Sequence, residues 1–281
     1  MTGNSVKRRE LVNIMTKYTE ALIEKNPSAL PLADNCRATY NGMEIHPGEN
    51  EVWKNTLVIR ERQTFVDPVS GEAVFFGMMT NETIDRNQDF KIDFPVYVIY
   101  YQYTVRIKVE NHEITEIEEL ACDRRIRNFY NEIHDIKLPD LEFEIPVPEE
   151  ERSTRMELIE IVETYWDACE QEEARKKLPV HPDAQRIENG YRTTNHSYSF
   201  LGDFKHNPGF RWKTPKNTRS YPVADPVRGL VVSECLLQDN KEAPDGCRGM
   251  MIVEAFKIKD GAICHVMAHF PRIAGTMGWE K

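Results

Sequence analysis

The chain of 281 residues has no long hydrophobic run, and no stretch approaches the roughly 18 apolar residues of a membrane-spanning helix. The basic residues near its N-terminus are not followed by an apolar segment, which argues against a secretory signal. Its six cysteines show no C-x-x-C spacing, so reduced thiols are favoured over disulfides or a zinc site. These absences predict a cytoplasmic protein with no membrane partner.

Positive charge is also scarce, since 36 Lys and Arg against 46 Asp and Glu give a formal net charge of −10. A nucleic-acid-binding face must neutralise phosphates, so this balance argues against a nucleic-acid partner. The sequence further lacks a Gly-rich phosphate loop, a G-x-S-x-G elbow and an H-E-x-x-H pair. Nucleotide-binding and metallohydrolase functions, and a metal site, are therefore not favoured.

What the chain does contain is an internal repeat. Segments recur in the same order: residues 10–18 as 157–165, 41–42 as 189–190, and 67–71 as 225–229. The units of solenoid proteins run at roughly 20–50 residues, so a repeat this long indicates a duplicated domain.

Each copy begins with a helix and continues in β-strands. Residues 10–18 and 157–165 carry apolar side chains at helical spacing. Asn-Gly and Asp-Pro-x-x-Gly turns then introduce strands, and a β-hairpin ends each copy. The proline- and acid-rich segment 137–153 predicts an extended linker. We therefore predict an α+β protein with domains at 6–136 and 154–281, each packing a helical N-terminal part on an antiparallel sheet.

This order of elements resembles the nuclear transport factor 2-like superfamily, also called SnoaL-like. The motif order Leu-Pro-Leu, Asn-Gly, Trp, Asp-Pro-x-x-Gly, Phe-Phe-Gly is similar to an uncharacterised bacterial and fungal group within it. The resemblance implies two tandem cone-shaped α+β barrels, each with a pocket between helix and curved sheet. It also implies proton-transfer chemistry without a cofactor. The Tyr-Asp pair of scytalone dehydratase-like members is missing, and at most the carboxylate Glu170 remains.

Two histidines on the last predicted strand are the leading catalytic candidates. His265 and His269 share parity with Ile263 and Met267, so all four side chains should point to one face of the strand. If Ile263 faces the interior, both imidazoles do so too, and imidazole serves as acid or base near neutral pH. The alternative is one exposed histidine and one satisfied interior histidine.

Further candidates lie on the helices and turns. Tyr165 and its equivalent Tyr18 occupy the apolar helix stripe, where the hydroxyl either reaches the pocket or only packs. The segment Glu116, Glu118 and Glu119 is predicted as a solvated strand face. The other candidates for contacting a ligand, against packing or turn-forming alternatives, are Tyr40, Trp53, Arg60, Glu170, Asn189, Tyr191, His196 and Trp212.

Together these features suggest a cofactor-independent lyase, dehydratase or isomerase. Its substrate would be a small, largely apolar oxygenated metabolite: a polyketide, terpenoid, steroid or aromatic catabolite. His265 or His269 would move the proton, and Tyr165 or Tyr191 would donate to the developing oxyanion. The alternative is a non-catalytic tandem protein that binds a small molecule or assembles with itself as a homo-oligomer.

Overall fold

A computed structural model describes residues 6–81, 99–123, 138–194, 212–238 and 249–273. In the first copy the elements are α1 (Arg8–Glu24), β1 (Leu32–Tyr40), β2 (Met43–Ile45), α2 (Glu51–Asn55), β3 (Val58–Asp67), β4 (Glu72–Thr80), β5 (Tyr100–Glu110) and β6 (Glu113–Asp123). In the second they are α3 (Arg155–Glu170), α4 (Glu172–Lys177), β7 (Val180–Glu188), β8 (Tyr191–Arg192), β9 (Ser220–Asp225), β10 (Leu230–Gln238), β11 (Gly249–Lys259), β12 (Ala262–His269) and β13 (Arg272–Ile273).

The two sheets have the same topology. The strand order is β2-β1-β6-β5-β4-β3 in the first and β8-β7-β12-β11-β10-β9 in the second, with β13 paired to β11. The pairs β1–β6 and β7–β12 are parallel, so the sheets are mixed and the prediction of purely antiparallel sheets is wrong in this detail. A short hairpin can join only antiparallel strands. The strands of these two pairs are far apart in the chain, so they can pair in parallel. The predicted α+β class with two tandem domains is confirmed.

The helices form where the apolar stripe and a capping signal coincide. In α1 the buried residues include Leu11, Met15 and Tyr18 on one side. Helix α3 begins with a capping box, in which Thr154 and Glu157 satisfy each other's backbone N–H groups. Each helix packs on one face of its sheet, which we call the helix face.

Equivalent residues of the two copies form reciprocal contacts across the domain boundary. Asp67 and Asp225 each accept a backbone hydrogen bond within their Asp-Pro turn, as turn residues do. Arg155 of the second copy also pairs with Asp67, and Arg8 of the first copy pairs with Asp225 at 2.7 Å. The start of each first helix is therefore joined to a turn of the other domain.

The opposite faces of the two sheets pack against each other, and we call them the inter-sheet faces. This third core lies between the two helix-face cores and includes Phe76 and Leu120 from the first sheet and Val253 and Met267 from the second. Phe143 of the linker is fully buried among them. The described part of the linker is thus docked on the domains and contains two short 3-10 turns, Leu141–Glu144 and Glu149–Glu151.

Within the described ranges, none of the helices combines the length and apolar character needed to span a bilayer.

Candidate active site

A β-bulge in β12 reverses the predicted orientation of the two histidines. Lys257 pairs with His265, but its neighbour Ile258 pairs with Ile263, so Cys264 is an extra residue on β12. Ile263 consequently faces the helix, and Met267 lies in the inter-sheet core. The prediction that all four residues share one face is wrong, because one inserted residue changes the alternation.

Both imidazoles instead lie on the inter-sheet face. His265 Nε2 is 2.6 Å from Asp140 Oδ2 of the linker, and its ring packs against Phe143. Burial raises the pKa of Asp140, but the hydrogen bond and charge of His265, with the backbone N–H of Glu142 and the charge of Arg192, lower it by more, so its net pKa lies below the usual value. His269 Nδ1 is 2.9 Å from Thr104 Oγ1 of the first domain. The histidines therefore join the domains and the linker.

The two helix tyrosines, in contrast, lie where the repeat places them, each beside a buried carboxyl group. Tyr165 donates to Glu254 Oε1 at 3.3 Å. Burial, followed by the nearby charge of Glu119, raises the pKa of Tyr18. A buried carboxyl on the helix face is thus common to both domains.

In the first domain this carboxyl is surrounded by hydrogen-bond donors. Trp53 Nε1 and Tyr103 OH donate to Glu119 Oε1 at 2.9 and 2.5 Å, and Asn50 Nδ2 donates to Oε2 at 2.6 Å. Asn50 also caps helix α2, so Glu119 ties that helix to the sheet. Burial raises the pKa of Glu119, while the donors lower it. Both of its oxygens are used inside the domain.

In the second domain the carboxyl has fewer contacts. Glu254 is 1% exposed, and Tyr165 contacts its Oε1. Its Oε2 is buried without a hydrogen-bond partner among the described residues. Burial raises the pKa of Glu254 to about 8, although the charge of Arg186 opposes the shift. This carboxyl group therefore holds its proton at neutral pH.

The two carboxyl groups occupy one position of the fold on opposite strands. Glu119 of β6 pairs with Val105 of β5. At the equivalent rung, Ala268 of β12 pairs with Glu254 of β11. Directly opposite side chains lie about 4.5–5.5 Å apart at their Cβ atoms, so the acid has been exchanged across one strand pair.

A buried cation distinguishes the second domain further. Arg186 of β7 is 1% exposed, whereas the equivalent Ala38 of β1 ends in a methyl group. Arg186 Nε is 3.3 Å from Thr193 Oγ1 and 3.6 Å from Glu188 Oε1. Its charge lowers the pKa of both Glu254 and Tyr165, against the effect of burial.

Three first-domain candidates lie in different surroundings. Tyr40 donates to Glu51 Oε1 at 3.0 Å, at the start of α2. Trp53 is buried in the helix-face core and binds Glu119. Arg60 is half-buried at a bulge of β3, the edge strand of the first sheet, and β3 does not pair with the strand that carries Glu119.

The second-domain candidates are used mainly for structure. Asn189 forms two hydrogen bonds with the backbone of Phe270, which agrees with the turn-forming alternative. Glu170 accepts from the backbone N–H and hydroxyl of Thr214. Half-buried Trp212 packs on the helix-face core. Tyr191 belongs to β8, and His196 lies outside the described residues.

The residues that carry the polar interior were not predicted from the sequence. Glu118 and Glu119 are both 1% exposed, so the prediction of a solvated strand face is wrong for them. Glu119 faces the helix, and Glu118 binds the buried Arg106 at 2.5 Å on the other face. A signal was present, since Ile117, Leu120 and Ala121 surround these glutamates with apolar residues.

Two open surface clefts, of about 670 and 440 Å³, border α3 and α1 respectively. They are lined largely by polar side chains and contain no residue proposed from the sequence. The clefts therefore add nothing to the interior site.

A family model described as a domain of unknown function, DUF8021, matches residues 4–121 and again residues 151–270. The chain belongs to this family. The double match confirms the tandem repeat. The curated proteins include no significant match to the sequence.

Solved structures resemble a single copy at low sequence identity. AclR from Streptomyces galilaeus is 6% identical, with 43% of this chain and 83% of that chain covered and a TM-score of 0.33. An NTF2-like protein from Burkholderia xenovorans is 13% identical, with 41% and 92% covered and a TM-score of 0.29. AusH from Aspergillus nidulans is 9% identical, with 41% and 86% covered and a TM-score of 0.30. Similarities this weak transfer no function.

Proposed function

We propose that this protein is a cofactor-independent acid–base enzyme, a lyase or isomerase, with Glu254 as the residue that transfers the proton. Its substrate would be a small, largely apolar oxygenated molecule. The observation that carries the proposal is the environment of Glu254. Its Oε2 is buried with no partner among the described residues, and burial raises its pKa to about 8. A buried polar atom without a partner is costly for a fold, so its retention favours a functional role.

The chemistry follows from this pKa. A carboxyl group that keeps its proton at neutral pH can donate it to a carbonyl oxygen or a leaving hydroxyl, and can then accept one from carbon. General acid–base catalysis is most effective when the pKa lies near the working pH. Tyr165, which donates to Oε1, would hold the carboxyl group in place. The apolar neighbours Ile252 and Phe256 on the same strand would suit a largely apolar substrate.

The equivalent group in the first domain suits this role less well. Three donors already occupy the two oxygens of Glu119. The histidines proposed from the sequence, His265 and His269, would act on the inter-sheet face, where Asp140 and Thr104 engage them. We therefore assign proton transfer to Glu254 and structural roles to Glu119 and the histidines.

The test combines a ligand screen with proton exchange. The full-length protein is screened by thermal shift against ketones, hydroxy acids and phenolics, because a ligand that binds only the folded state raises Tm. Ligands that bind are then incubated in D2O, and NMR follows deuterium incorporation next to the carbonyl. We expect Glu254→Gln to slow exchange by about 10²- to 10⁴-fold, the usual contribution of a general acid or base.

Glu119→Gln is the matched control, because it changes the equivalent carboxyl of the other domain. It should retain exchange close to the wild-type rate at a temperature where circular dichroism shows all variants folded. Full activity of Glu254→Gln, or loss of activity only in Glu119→Gln, would refute the assignment.

A second candidate is a non-catalytic tandem protein that binds a small molecule. The packing of Phe76 and Leu120 on Val253 and Met267 favours it, because duplication then serves to pair two sheets within one chain. It predicts thermal stabilisation by a ligand that Glu254→Gln preserves, with no proton exchange in either protein.

A further inference from the structure

Ser233 lies directly beside Glu254 on the neighbouring strand of the second sheet. The register of β10 and β11 pairs the two residues. Directly opposite side chains of an antiparallel pair have Cβ atoms about 4.5–5.5 Å apart on one face. That face is the helix face, because Trp166 of α3 donates from Nε1 to Ser233 Oγ at 2.9 Å. A hydroxyl group and a carboxyl group therefore lie side by side under α3.

The hydroxyl group of Ser233 retains an unused donor. Ser233 is fully buried, and its oxygen accepts the hydrogen bond from Trp166. A serine hydroxyl has one O–H donor and two acceptor positions, so the contact with the indole leaves the proton available to another group. Among the described residues, none accepts a hydrogen bond from Ser233.

Glu254 presents a second unused donor at the same place. Tyr165 donates to Oε1, and Oε2 is buried without a partner in the described part of the chain. Burial raises the pKa of Glu254 to about 8, so the carboxyl group keeps its proton at neutral pH. Oε2 can hold that proton, because Oε1 already accepts from Tyr165. Two neighbouring O–H groups are thus available to a third group.

The first domain builds the equivalent part of its sheet without these groups. There Phe75 pairs with Val105, and Val105 pairs with Glu119. Phe75 and Val105 belong to the helix-face core, and both sheets have the same strand order. The second domain has Ser233 and Glu254 where the first has an aromatic and an aliphatic side chain. Buried polar groups cost free energy unless they are hydrogen-bonded, so their presence here favours a role in binding.

We propose that Ser233 is a second residue that contacts the substrate, and that a carbonyl oxygen of the substrate accepts hydrogen bonds from both Ser233 Oγ and Glu254 Oε2. The proposal deepens the proposed function, since it rests on a ligand at Glu254. A carbonyl oxygen has two lone pairs and no proton of its own, whereas an alcohol would bring a proton that needs an acceptor. The substrate class is therefore a small, largely apolar ketone or aldehyde. Trp166 is a positioning residue that holds the oxygen of Ser233.

The experiment observes the carbonyl group of a bound ketone. Acetophenone or cyclohexanone, labelled with carbon-13 at the carbonyl, is bound to the full-length protein at pH 7, and infrared difference spectroscopy records the stretching frequency. Hydrogen bonds to the oxygen lower this frequency relative to the ketone in a hydrocarbon solvent. We expect Ser233→Ala to lose roughly half of the wild-type shift, because one of two donors is removed. It should also slow proton exchange next to the carbonyl by about 10²-fold.

A second variant and a matched control accompany Ser233→Ala. Ser233→Cys replaces the hydroxyl by a weak S–H donor of similar shape, so it should also lose part of the shift. Cys235→Ala is the control, because it removes one atom from the same strand and the same core, two residues further along. Its carbonyl frequency should equal that of the wild type.

The wild type provides a comparison that needs no variant. α-Methylstyrene and methylenecyclohexane have the shapes of the two ketones with a CH2 group in place of the oxygen. Each ketone should bind at least about tenfold more tightly than its hydrocarbon analogue, since two buried donors would otherwise stay unsatisfied.

An unchanged frequency in the folded Ser233 variants, a wild-type frequency equal to that in hydrocarbon solvent, no preference for the ketones, or binding of neither ketone would each overturn the proposal. The two wild-type measurements test the carbonyl contact even where neither variant folds. Failure of the proposed function is distinguishable, because it would appear as unchanged proton exchange in Glu254→Gln. The carbonyl frequency depends on binding alone and needs no turnover.

Discussion

Each domain buries one carboxyl group against its own first helix, but the hydrogen bonding of the two groups differs. Three donors bind Glu119 in the first domain, and one of them, Asn50, also caps α2. In the second domain, Glu254 lies across the strand pair, with Tyr165 at 3.3 Å and one oxygen without a partner among the described residues. The first arrangement satisfies both oxygens of its carboxyl group, which stabilises a fold, and the second leaves one oxygen available for a ligand.

This contrast indicates how a duplicated fold can separate stability from chemistry. Both domains keep the helix tyrosine, the sheet order and the Asp-Pro turn, which the packing requires. The second domain differs at the positions that reach its interior, where Arg186 replaces an alanine-sized residue. The fold tolerates those changes because a core loses specificity before it loses its overall architecture.

The largest expected difference concerns stability. Glu119→Gln should lower the free energy of unfolding by about 3 kcal/mol, because the amide NH2 that replaces one carboxyl oxygen cannot accept a hydrogen bond and leaves buried donors unsatisfied. Glu254→Gln should not lower it at pH 7, since glutamine resembles the protonated acid in shape and charge and takes up no proton on folding. Urea denaturation of both variants measures the two changes in the free energy of unfolding. Similar losses in the two variants would remove the distinction between the domains.

Substitution of the equivalent turn glycines, Gly71 and Gly229, should also destabilise the two domains to different extents. A Cβ on Gly229 would clash with the carbonyl oxygen of Ile258 and lie 2.9 Å from Val147 of the linker, with φ at +56°. A Cβ on Gly71, at φ +73°, would lie 2.8 Å from the carbonyl oxygen of Val109. We expect Gly229→Ala to cost about 2–3 kcal/mol and Gly71→Ala about 1–2 kcal/mol in unfolding free energy. Thermal denaturation that ranks them in reverse would contradict the closer packing of the second turn.

The inter-sheet histidines allow the two faces of the second sheet to be compared, instead of the two domains. The double variant His265→Asn, His269→Asn should keep proton exchange within about twofold of wild type, because both rings lie on the face of the sheet opposite to Glu254. It should lose about 2 kcal/mol of stability through the contacts with Asp140 and Thr104. Exchange assays and urea denaturation are measured on the same sample. Loss of exchange at unchanged stability would restore the histidines as catalytic residues.

A further expected effect is a dependence of stability on pH. Burial raises the pKa of Glu254 from 4.5 to about 8, so the folded state holds one proton more than the unfolded state between those values. The contribution of Glu254 to stability therefore falls as pH rises through this window and is constant above it. Glu254→Gln cannot titrate, so its stability relative to wild type should increase from pH 5 to pH 8, as measured by Tm. A constant difference across that range would show that the pKa of Glu254 is not raised.

The local sequence predicted the elements that depend on short-range pattern. The stripe through Leu11 and Tyr18 predicted α1, and its repeat through Leu158 and Tyr165 predicted α3. The Asn-Gly turn at Asn189 was also evident, and there the amide of Asn189 binds the backbone of Phe270. These predictions succeed because helical spacing and positive φ are properties of a few neighbouring residues.

The candidate site was only partly predictable. Tyr165 was expected on the apolar stripe of its helix, where it is buried, but Glu254 and Arg186 were not proposed from the sequence. On a strand, alternation assigns residues to two faces without saying what covers either face. Glu254 becomes an interior acid only because α3 lies on it, and Glu118 becomes buried only because the second sheet lies on the first.

The sequence by itself determined the duplication, the helix-then-sheet order of each copy and the tyrosine at each first helix, since these follow from repeated motifs and local periodicity. The tertiary structure alone decided which face each histidine and glutamate occupies. One extra residue at Cys264 turned His265 and His269 away from the helix, and the packing of two sheets converted both faces into interior. Burial depends on elements far apart in the chain, so the protonation of Glu254 is decided by the assembled fold.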